Sequence, residues 1–367
     1  MIKTVKRAEK KDEGHKMTTV YLIRHAEAEG NLYRRCHGHY DAAVTARGYR
    51  QIAALAKRFE NKRIDAVYSS DLTRTKTTAL ALTRVHGLPL HTTPELREVG
   101  MGAWEDKTWT WLGKFDRERL LAFNTDAGNW HVEGGEDMPA VLTRMRRALR
   151  GVIAAHPGQT VAVFSHGMAL RLLVGTLQGL SVAEIDGTRH AENTAVTKLI
   201  ADEDVIRVIY RDDASHLSED LTTLHKQLWT KTKGGIEPGL WFRPDSRTRG
   251  RFEVMQEDGV VGALSLHQGE ENVAVIDELW LENGAQGHGF GVRLVGQAVS
   301  YARTLGCTAL SAVIPRGNPV ALKRAIEYGF LPGRATPDAV VYQLYTGKDE
   351  SYRTARFDEA WEALREK

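Results

Sequence analysis

A handful of residues in the first half of the chain could carry phosphate chemistry. Arg24-His25 closes a short apolar run at 18–23, and Ser165-His166-Gly167 closes another at 160–164. A third run, 64–68, is followed by Ser69-Ser70-Asp71 and, one helical turn on, Arg74. Arginine presents a planar fork that matches phosphate oxygens in pairs and keeps its charge at any working pH, so two of them neutralise a phosphomonoester. A neutral histidine then attacks phosphorus in line to give a covalent intermediate. A second histidine donates a hydrogen bond to the equatorial oxygens as charge builds on them. The departing alcohol needs a proton, and Glu98, in Leu96-Arg97-Glu98, is the best candidate for that acid. Singly, each of these is more often a solvated or core residue; their conjunction carries the reading.

The second half offers Gln286-Gly287-His288-Gly289-Phe290-Gly291 between a strand-like and a helix-like stretch. Glycine lets the backbone approach a pyrophosphate there, and a helix N-terminus adds its free N–H groups. The bland alternative is a tight turn. A dinucleotide-binding Rossmann arrangement fails on context, because two antiparallel strands precede the segment and no acidic residue closes a following parallel strand. Cys36-His37-Gly38-His39 lacks partners for a metal, none is expected in the phosphate site, and the segment reads as a loop in substrate contact or at the surface.

The elements that must position these groups follow from periodicity. Strands are expected at 18–23, 64–68 and 160–164, with helices at 45–59, 71–86, 138–156 and 168–177. Ile52, Leu55 and Phe59 share one face of the first helix, and Val141, Met145 and Leu149 one face of the third. Short buried strands alternating with helices mean an α/β domain with a largely parallel sheet, whose ligands gather at the carboxyl ends of the strands. The pattern fades after 205–211. Ser218 is expected to open a helix with Leu221, Leu224 and Leu228 on one face, and Lys233-Gly234-Gly235 with Pro238-Gly239 is the linker candidate. Beyond it, strands at 252–256 and 260–267 flank Asp258-Gly259, a hairpin signal. Strand 273–281, helix 290–305, strand 309–314, helix 319–328 and strand 339–345 complete a smaller α+β unit. Phe357, Trp361 and Leu364 stand at helical spacing in a C-terminal docking helix. The expected division is a disordered leader at 1–16, a first domain at 17–217, a linker helix and linker at 218–238, a second domain at 239–347 and the terminal helix at 348–367.

Composition narrows the class. A chain of 367 residues exceeds one ordinary core, and a formal charge of +3 gives no reason to expect nucleic acid or a membrane as partner, though it suits anionic substrates. The two cysteines, Cys36 and Cys307, read as unpaired thiols of a cytoplasmic protein. The first sixteen residues, rich in Lys and Glu, are not a secretory signal; a disordered leader or a start at Met17 is expected.

Several motifs together resemble one family. Leu22-Ile23-Arg24-His25-Ala26-Glu27 with Asn31, Ser69-Ser70-Asp71-Leu72-Thr73-Arg74, Leu96-Arg97-Glu98, Gly134-Gly135-Glu136, Ser165-His166-Gly167 and Asn193-Thr194 are similar in type and order to the histidine phosphatase superfamily, the phosphoglycerate mutase-like proteins. The resemblance spans roughly 18–217. It implies a three-layer α/β/α fold in which His25 is the phosphorylated nucleophile. Arg24, Arg74, His166 and Asn31 would form the phosphate pocket. Glu98 would be proton donor, then base for the water that hydrolyses phosphohistidine. Ala26 departs from the family's usual glycine, and activity is expected to survive so small a change. The stretch from Val99 to Thr108 and the short path to Gly134 resemble the phosphatase branch, acting on a small phosphorylated metabolite, more than the mutases. Trp109, Trp111 and Trp130 fall where the family places its substrate cap, to line a leaving-group pocket or to pack in the core.

The second half, roughly 239–345, resembles the GNAT acetyltransferase family through Gln286-x-x-Gly289-x-Gly291, Asn318 and Tyr328-Gly329-Phe330. The resemblance implies acetyl-CoA as cofactor and an amine as acceptor. Backbone N–H groups of 287–291, including Gly287, would hold the pyrophosphate, and backbone at Leu279 and Leu281 the pantetheine arm. Two departures stand out. Ala325 occupies the position of the tyrosine that protonates the CoA thiolate, leaving Tyr328 or water for that task. The segment before the first hairpin is also too short for the helix pair that shapes the acceptor site. Glu278 is a candidate base for the amine or a paired surface glutamate. The expectation is therefore a bifunctional enzyme, with two alternatives: a mutase-type first domain, and a second domain that binds acyl-CoA without transferring its acyl group.

Overall fold

The computed structural model describes residues 16–202, 205–224, 227, 236 and 238–366. Of the leader expected at 1–16, residues 1–15 lie outside these residues. The first unit runs β1 (Thr18–Arg24), α1 (Glu29–Tyr33), α2 (Ala46–Phe59), β2 (Ala66–Ser70), α3 (Thr73–His86), β3 (Leu90–Thr93), α4 (Trp109–Phe115), α5 (Arg117–Thr125), α6 (Met138–Ala155), β4 (Thr160–Ser165), α7 (Gly167–Leu177), β5 (Val196–Ala201) and β6 (Ile206–Asp213). Its sheet has the order β3-β2-β4-β1-β5-β6, parallel from β3 to β1 and antiparallel at β5 and β6. Alternation along β1 sorts side chains into two layers. Val20 and Leu22 join a core with Met145 and Leu149 of α6 and Leu172 of α7. Tyr21 and Ile23 join Ile52 and Leu55 of α2 and Leu82 of α3 on the other face. The helix boundaries have local causes: Thr45 caps α2 by accepting from the Gly48 N–H, Asp137 caps α6 from Ala140, and Gly87 ends α3 in the left-handed region.

The second unit runs β7 (Leu240–Pro244), β8 (Arg251–Gln256), β9 (Gly259–Gln268), β10 (Val273–Leu281), α8 (Gly291–Thr304), β11 (Ala309–Pro315), α9 (Pro319–Glu327), β12 (Leu331–Ala335) and β13 (Ala339–Tyr345), in the sheet order β12-β13-β11-β10-β9-β8-β7. Residues 245–250 connect β7 directly to β8 with no helix between them. Strands β7 and β12 carry no strong alternation and were not expected from the sequence. The linker helix expected from Ser218 is corrected: Ser218 opens a single 3-10 turn, Glu219–Leu221, and Thr222 ends it with an extended backbone. Leu228 and the Lys233-Gly234-Gly235 segment lie outside the described residues.

Among the described residues, contacts that join the units include the following. Tyr33 of α1 is buried in the core of the second unit, against Leu294 and Val295 of α8. It lies so close that a Cβ on Gly296 would fall 2.4 Å from its own Cβ. Arg303 of α8 forms a two-pronged pair with Glu29 of α1 at 2.6 and 2.8 Å. The C-terminal helix α10 (Glu350–Arg365) returns to the first unit, where Phe357 is 1% exposed in the α2–α3 core and Arg84 pairs with Asp358. No helix among the described residues is long and apolar enough to cross a membrane.

Candidate active sites

Parallel pairing of β1 with β4 sets Arg24 beside Ser165, and the next residues, His25 and His166, leave the sheet together. Their rings lie 5.3 Å apart. The backbone that presents His25 is held on all sides: its N–H donates to the Ser165 carbonyl, the Asn193 side-chain amide donates to its carbonyl at 2.9 Å, and the Ala26 N–H donates to Thr78 Oγ1.

Hydrogen bonds assign the protons. His25 Nδ1 is 2.7 Å from the Ala26 carbonyl, which only accepts, so Nδ1 carries hydrogen and Nε2 keeps its lone pair. Arg74 Nε donates to His166 Nδ1 at 3.1 Å, so the His166 proton sits on Nε2. Among the described residues, His166 Nε2 and Arg24 Nε are buried donors with no hydrogen-bond partner. Buried donors normally find acceptors, and two orphaned donors beside a lone-pair nitrogen describe a place for anionic oxygens. Burial, reinforced by Arg74 and Arg24, holds His25 well below the usual histidine range, so it is neutral at neutral pH. Burial and Arg74 do the same to His166. Arg74 itself is pushed down to about 10, chiefly by burial, and remains a cation.

Glu98 lines the same cavity, and its carboxylate accepts from the backbone N–H groups of Val99, Met168 and Ala169 at 2.8–3.0 Å. Its main chain is fixed by Arg144 of α6, whose guanidinium donates to the carbonyls of Glu95, Arg97 and Glu98 and to both oxygens of Glu136. Arg144 escapes sequence reading because it stands on the flank of an ordinary amphipathic helix. Glu136 had a signal, its glycine-rich motif, but no role. Asn31 lines the cavity and accepts from the Ala28 N–H and the Asn193 amide. Of the two alternatives for the loop at 36–39, substrate contact or surface exposure, the structure agrees with the first: Cys36 is buried, His37 lines the cavity, and His39 Nε2 bonds the Glu98 carbonyl.

The cavity encloses about 180 Å³. Its lining also includes Trp109 and Phe123, with rings 6.0 Å apart, and Leu224 and Gln227 of the connecting segment. Of the tryptophans, Trp109 lines the cavity, Trp130 is a core residue against Trp104, and Trp111 packs on Phe115.

The second site is built differently. β10 keeps its ladder with β9 as far as Leu281, but its ladder with β11 ends at Ile276, leaving the edge beyond it, with Leu279 and Leu281, splayed from β11. A bulge lies between Ile276 and Glu278. Gly287 and Gly289 adopt φ of 81° and 75°, a conformation natural to glycine, and α8 begins at Gly291. Gln286 Nε2 donates to the Leu281 carbonyl and joins strand end to loop. Asn318 caps α9 by accepting from Ala321. An open strand edge and a glycine loop at a helix N-terminus fit an extended amide-bearing arm ending in a pyrophosphate. Glu278 is paired with Arg251 at 2.9 Å and accepts from the Trp280 indole. Ala325 is buried, and the Tyr328 hydroxyl lies 2.9 Å from where a Gly291 Cβ would be, at the glycine-loop end of the site.

Residues 20–213 match the histidine phosphatase superfamily (branch 1), and 214–330 the acetyltransferase (GNAT) family. A "Probable phosphoglycerate mutase GpmB" of Serratia proteamaculans is 34% identical over 164 residues, 45% of this chain and 76% of that protein. The GpmB of Yersinia pestis is 35% identical over the same length. Among solved structures, Bacillus stearothermophilus YhfR aligns with a TM-score of 0.53 and 28% identity, covering 55% of this chain and all of that one. A mycobacterial glucosyl-3-phosphoglycerate phosphatase in complex with VO3 aligns with a TM-score of 0.50 and 25% identity over 53% of this chain and 99% of that one.

Proposed function

From the premise that the chain belongs to the histidine phosphatase superfamily and carries a GNAT-family domain behind it, we propose that it hydrolyses a small phosphomonoester through phosphohistidine at His25 and binds acetyl-CoA in its second domain. The observation that carries the first half is the proton layout: a lone pair on His25 Nε2 facing unpartnered donors on His166 and Arg24. His25 Nε2 attacks phosphorus as the P–O bond to the alcohol breaks. His166 and the arginines hold the equatorial oxygens. Glu98 gives its proton to the departing oxygen, then takes one from the water that cleaves the P–N bond, which regenerates both groups. Hydrolysis is favoured over mutase transfer by the short path from Glu98 to Gly134, although the GpmB relatives bear the mutase name. The division at 17–217, 218–238, 239–347 and 348–367 belongs to the same proposal.

The test is rapid quench with a labelled phosphomonoester. Acid-labile, base-stable label should appear on the native protein, with phosphate release that His25→Ala lowers by roughly 10⁴-fold or more. Phosphate release near wild type in His25→Ala would sink the claim. Faster isomerisation of 3-phosphoglycerate than phosphate release, with a bisphosphoglycerate primer, would make the domain a mutase.

For the second domain, Leu279, Leu281 and residues 286–291 would hold acetyl-CoA, whose thioester supplies an acetyl group to an amine. Ala325, and Tyr328 seated against Gly291, support a second reading in which the domain binds acyl-CoA without transfer. Acetyl-CoA turnover over an amine panel separates the two: CoA binding with no turnover on any amine favours the second.

A further inference from the structure

Strand β10 forks away from β11 at a single residue. Its parallel ladder with β11 ends at Ile276, opposite Ala312, while its antiparallel ladder with β9 resumes at Glu278 and runs to Leu281. Asp277 stands between them as the extra residue of a bulge, in register with neither neighbour. A bulge re-aims the side chain it carries. Here the Asp277 carboxylate comes to 2.9 Å from His267 Nδ1. His267 lies on β9 opposite Val275, so the pair straddles the point where the strands part. A carboxylate only accepts, so Nδ1 carries hydrogen and Nε2 of the neutral ring keeps its lone pair.

Alternation fixes the face. Leu264 and Leu266 of β9 enter the core with Leu294 and Val295 of α8, so His267 points to the opposite side of the sheet. The fork is open there: the His267 side chain is 58% exposed, and Trp280 and Val313 are exposed as well. Glu278, the base candidate by sequence, is already engaged by Arg251 and the Trp280 indole. Gln286 ties the glycine loop to Leu281, and four residues of strand, about 13 Å, lead back from there to Asp277. An extended pantetheine arm has a comparable reach.

Resting on the acetyl-transfer reading, we infer that His267 is the catalytic base for the acceptor amine and that Asp277 is the positioning residue that holds its tautomer. The acceptor arrives as an alkylammonium and gives one proton to His267 Nε2. The freed nitrogen forms the amide bond as the thioester C–S bond breaks, and the second nitrogen proton goes to the departing sulfur. His267 returns its proton to water.

Two measurements on the full chain test this. Long-range 1H–15N NMR without CoA reads the tautomer: His267, assigned by its loss in His267→Gln, should carry hydrogen on Nδ1 in its neutral ring, and Asp277→Asn should mix the two tautomers. Transfer from labelled acetyl-CoA is then followed to n-butylamine, an ammonium ion at neutral pH, and to methoxyamine, which is uncharged there. His267→Gln should lower transfer to butylamine by about 10²-fold and to methoxyamine far less, with Asp277→Asn showing the same order and a smaller loss. Urea midpoints check that both variants fold. Equal losses for the two amines, no loss, or an Nε2–H tautomer in wild type would overturn the assignment. Wild-type protein that binds CoA but acetylates neither amine, nor any other of a panel, would defeat the transfer reading and the base with it.

Discussion

The two candidate sites of this chain solve opposite problems. In the first, charged and titratable groups are withdrawn from water and fixed by one another: His25 is 6% exposed, and its neighbours are held by hydrogen bonds whose donors can be named. In the second, the expected contacts are backbone groups on an open strand edge, with Leu279 40% exposed and Trp280 44% exposed. Phosphoryl transfer needs charges pre-positioned in a dry pocket, because donors aimed at developing charge act most strongly where water cannot compete. Holding a long, flexible cofactor arm needs a groove with unpaired amides, and that groove stays open to solvent.

If the contrast is correct, the first site should be far more sensitive to single side chains. Glu98→Gln keeps the shape and, through Oε1, the contacts from the Val99 and Ala169 N–H groups, but gives up the contact from the Met168 N–H and removes the transferable proton. Loss of a general acid lowers rate by about 10² to 10⁴. The loss should shrink towards unity for 4-nitrophenyl phosphate, whose leaving group needs no proton, when the phosphorylation half-reaction is read by stopped flow. Equal losses for alkyl and nitrophenyl esters would remove Glu98 from that role.

The junction between the sites is the next point of attack. Arg303 and Glu29 are a largely buried pair, with side chains 16% and 7% exposed. Arg303→Met would leave Glu29 buried and unpaired, which costs about 3 kcal/mol or more. Because Glu29 lies four residues after His25 and begins the helix that carries Asn31, the variant should lower phosphatase kcat/KM as well as the denaturant midpoint. Adding Glu29→Leu should restore most of the stability. A stability loss confined to a separate second-domain transition would mean that the two units are merely tethered.

Much of the first site was legible because its residues sit at the ends of apolar runs, and a run of β-branched residues ending in Arg-His states both the strand and the mouth it opens on. The contacts that make the site rigid were not legible. Arg144 reaches back 46 residues to hold the Glu98 carbonyl, from a helix whose pattern shows only an amphipathic face. Gly296 reads as an ordinary helix-weakening glycine until Tyr33 is seen packed onto it. Helix α10 showed its apolar spacing, but nothing local says that Phe357 completes the core between α2 and α3. The linker helix failed for a related reason: from the end of the single 3-10 turn onward, the Leu221 carbonyl accepts from Gln51 and the N–H groups of Thr223 and Leu224 donate to Glu192.

Proton linkage offers a gentler perturbation. His25, His37 and His166 are all held well below the ordinary histidine range, first by burial and then by Arg74. The folded chain therefore keeps them neutral as pH falls through about 6.5, while the unfolded chain takes up protons there. Stability is highest above that pH and is lost below it, by about 1 kcal/mol per histidine between pH 6.5 and 5.5. Urea midpoints at pH 7.5 and 5.5 check the sign: the midpoint should drop on acidification, and a His37→Gln, His166→Gln double variant should flatten the drop. A midpoint that rises in acid would contradict the burial of neutral imidazoles.

The smallest expected effect probes the second site alone. Gly289 has φ of 75° and open space around its missing Cβ, so Gly289→Ala meets no clash and pays only the left-handed backbone penalty, about 1 kcal/mol. Gly306 offers a matched control in the same domain, with the same φ of 75° and equally open surroundings, but it lies beyond the far end of α8. If the loop at 286–291 is only a tight turn, the two alanine variants should bind CoA alike. If its backbone approaches a pyrophosphate, the added methyl of Gly289→Ala should weaken CoA binding several-fold beyond Gly306→Ala, with phosphate release equal in both. Strain is the same in the two variants, so the difference between their CoA dissociation constants isolates what the loop does for a ligand.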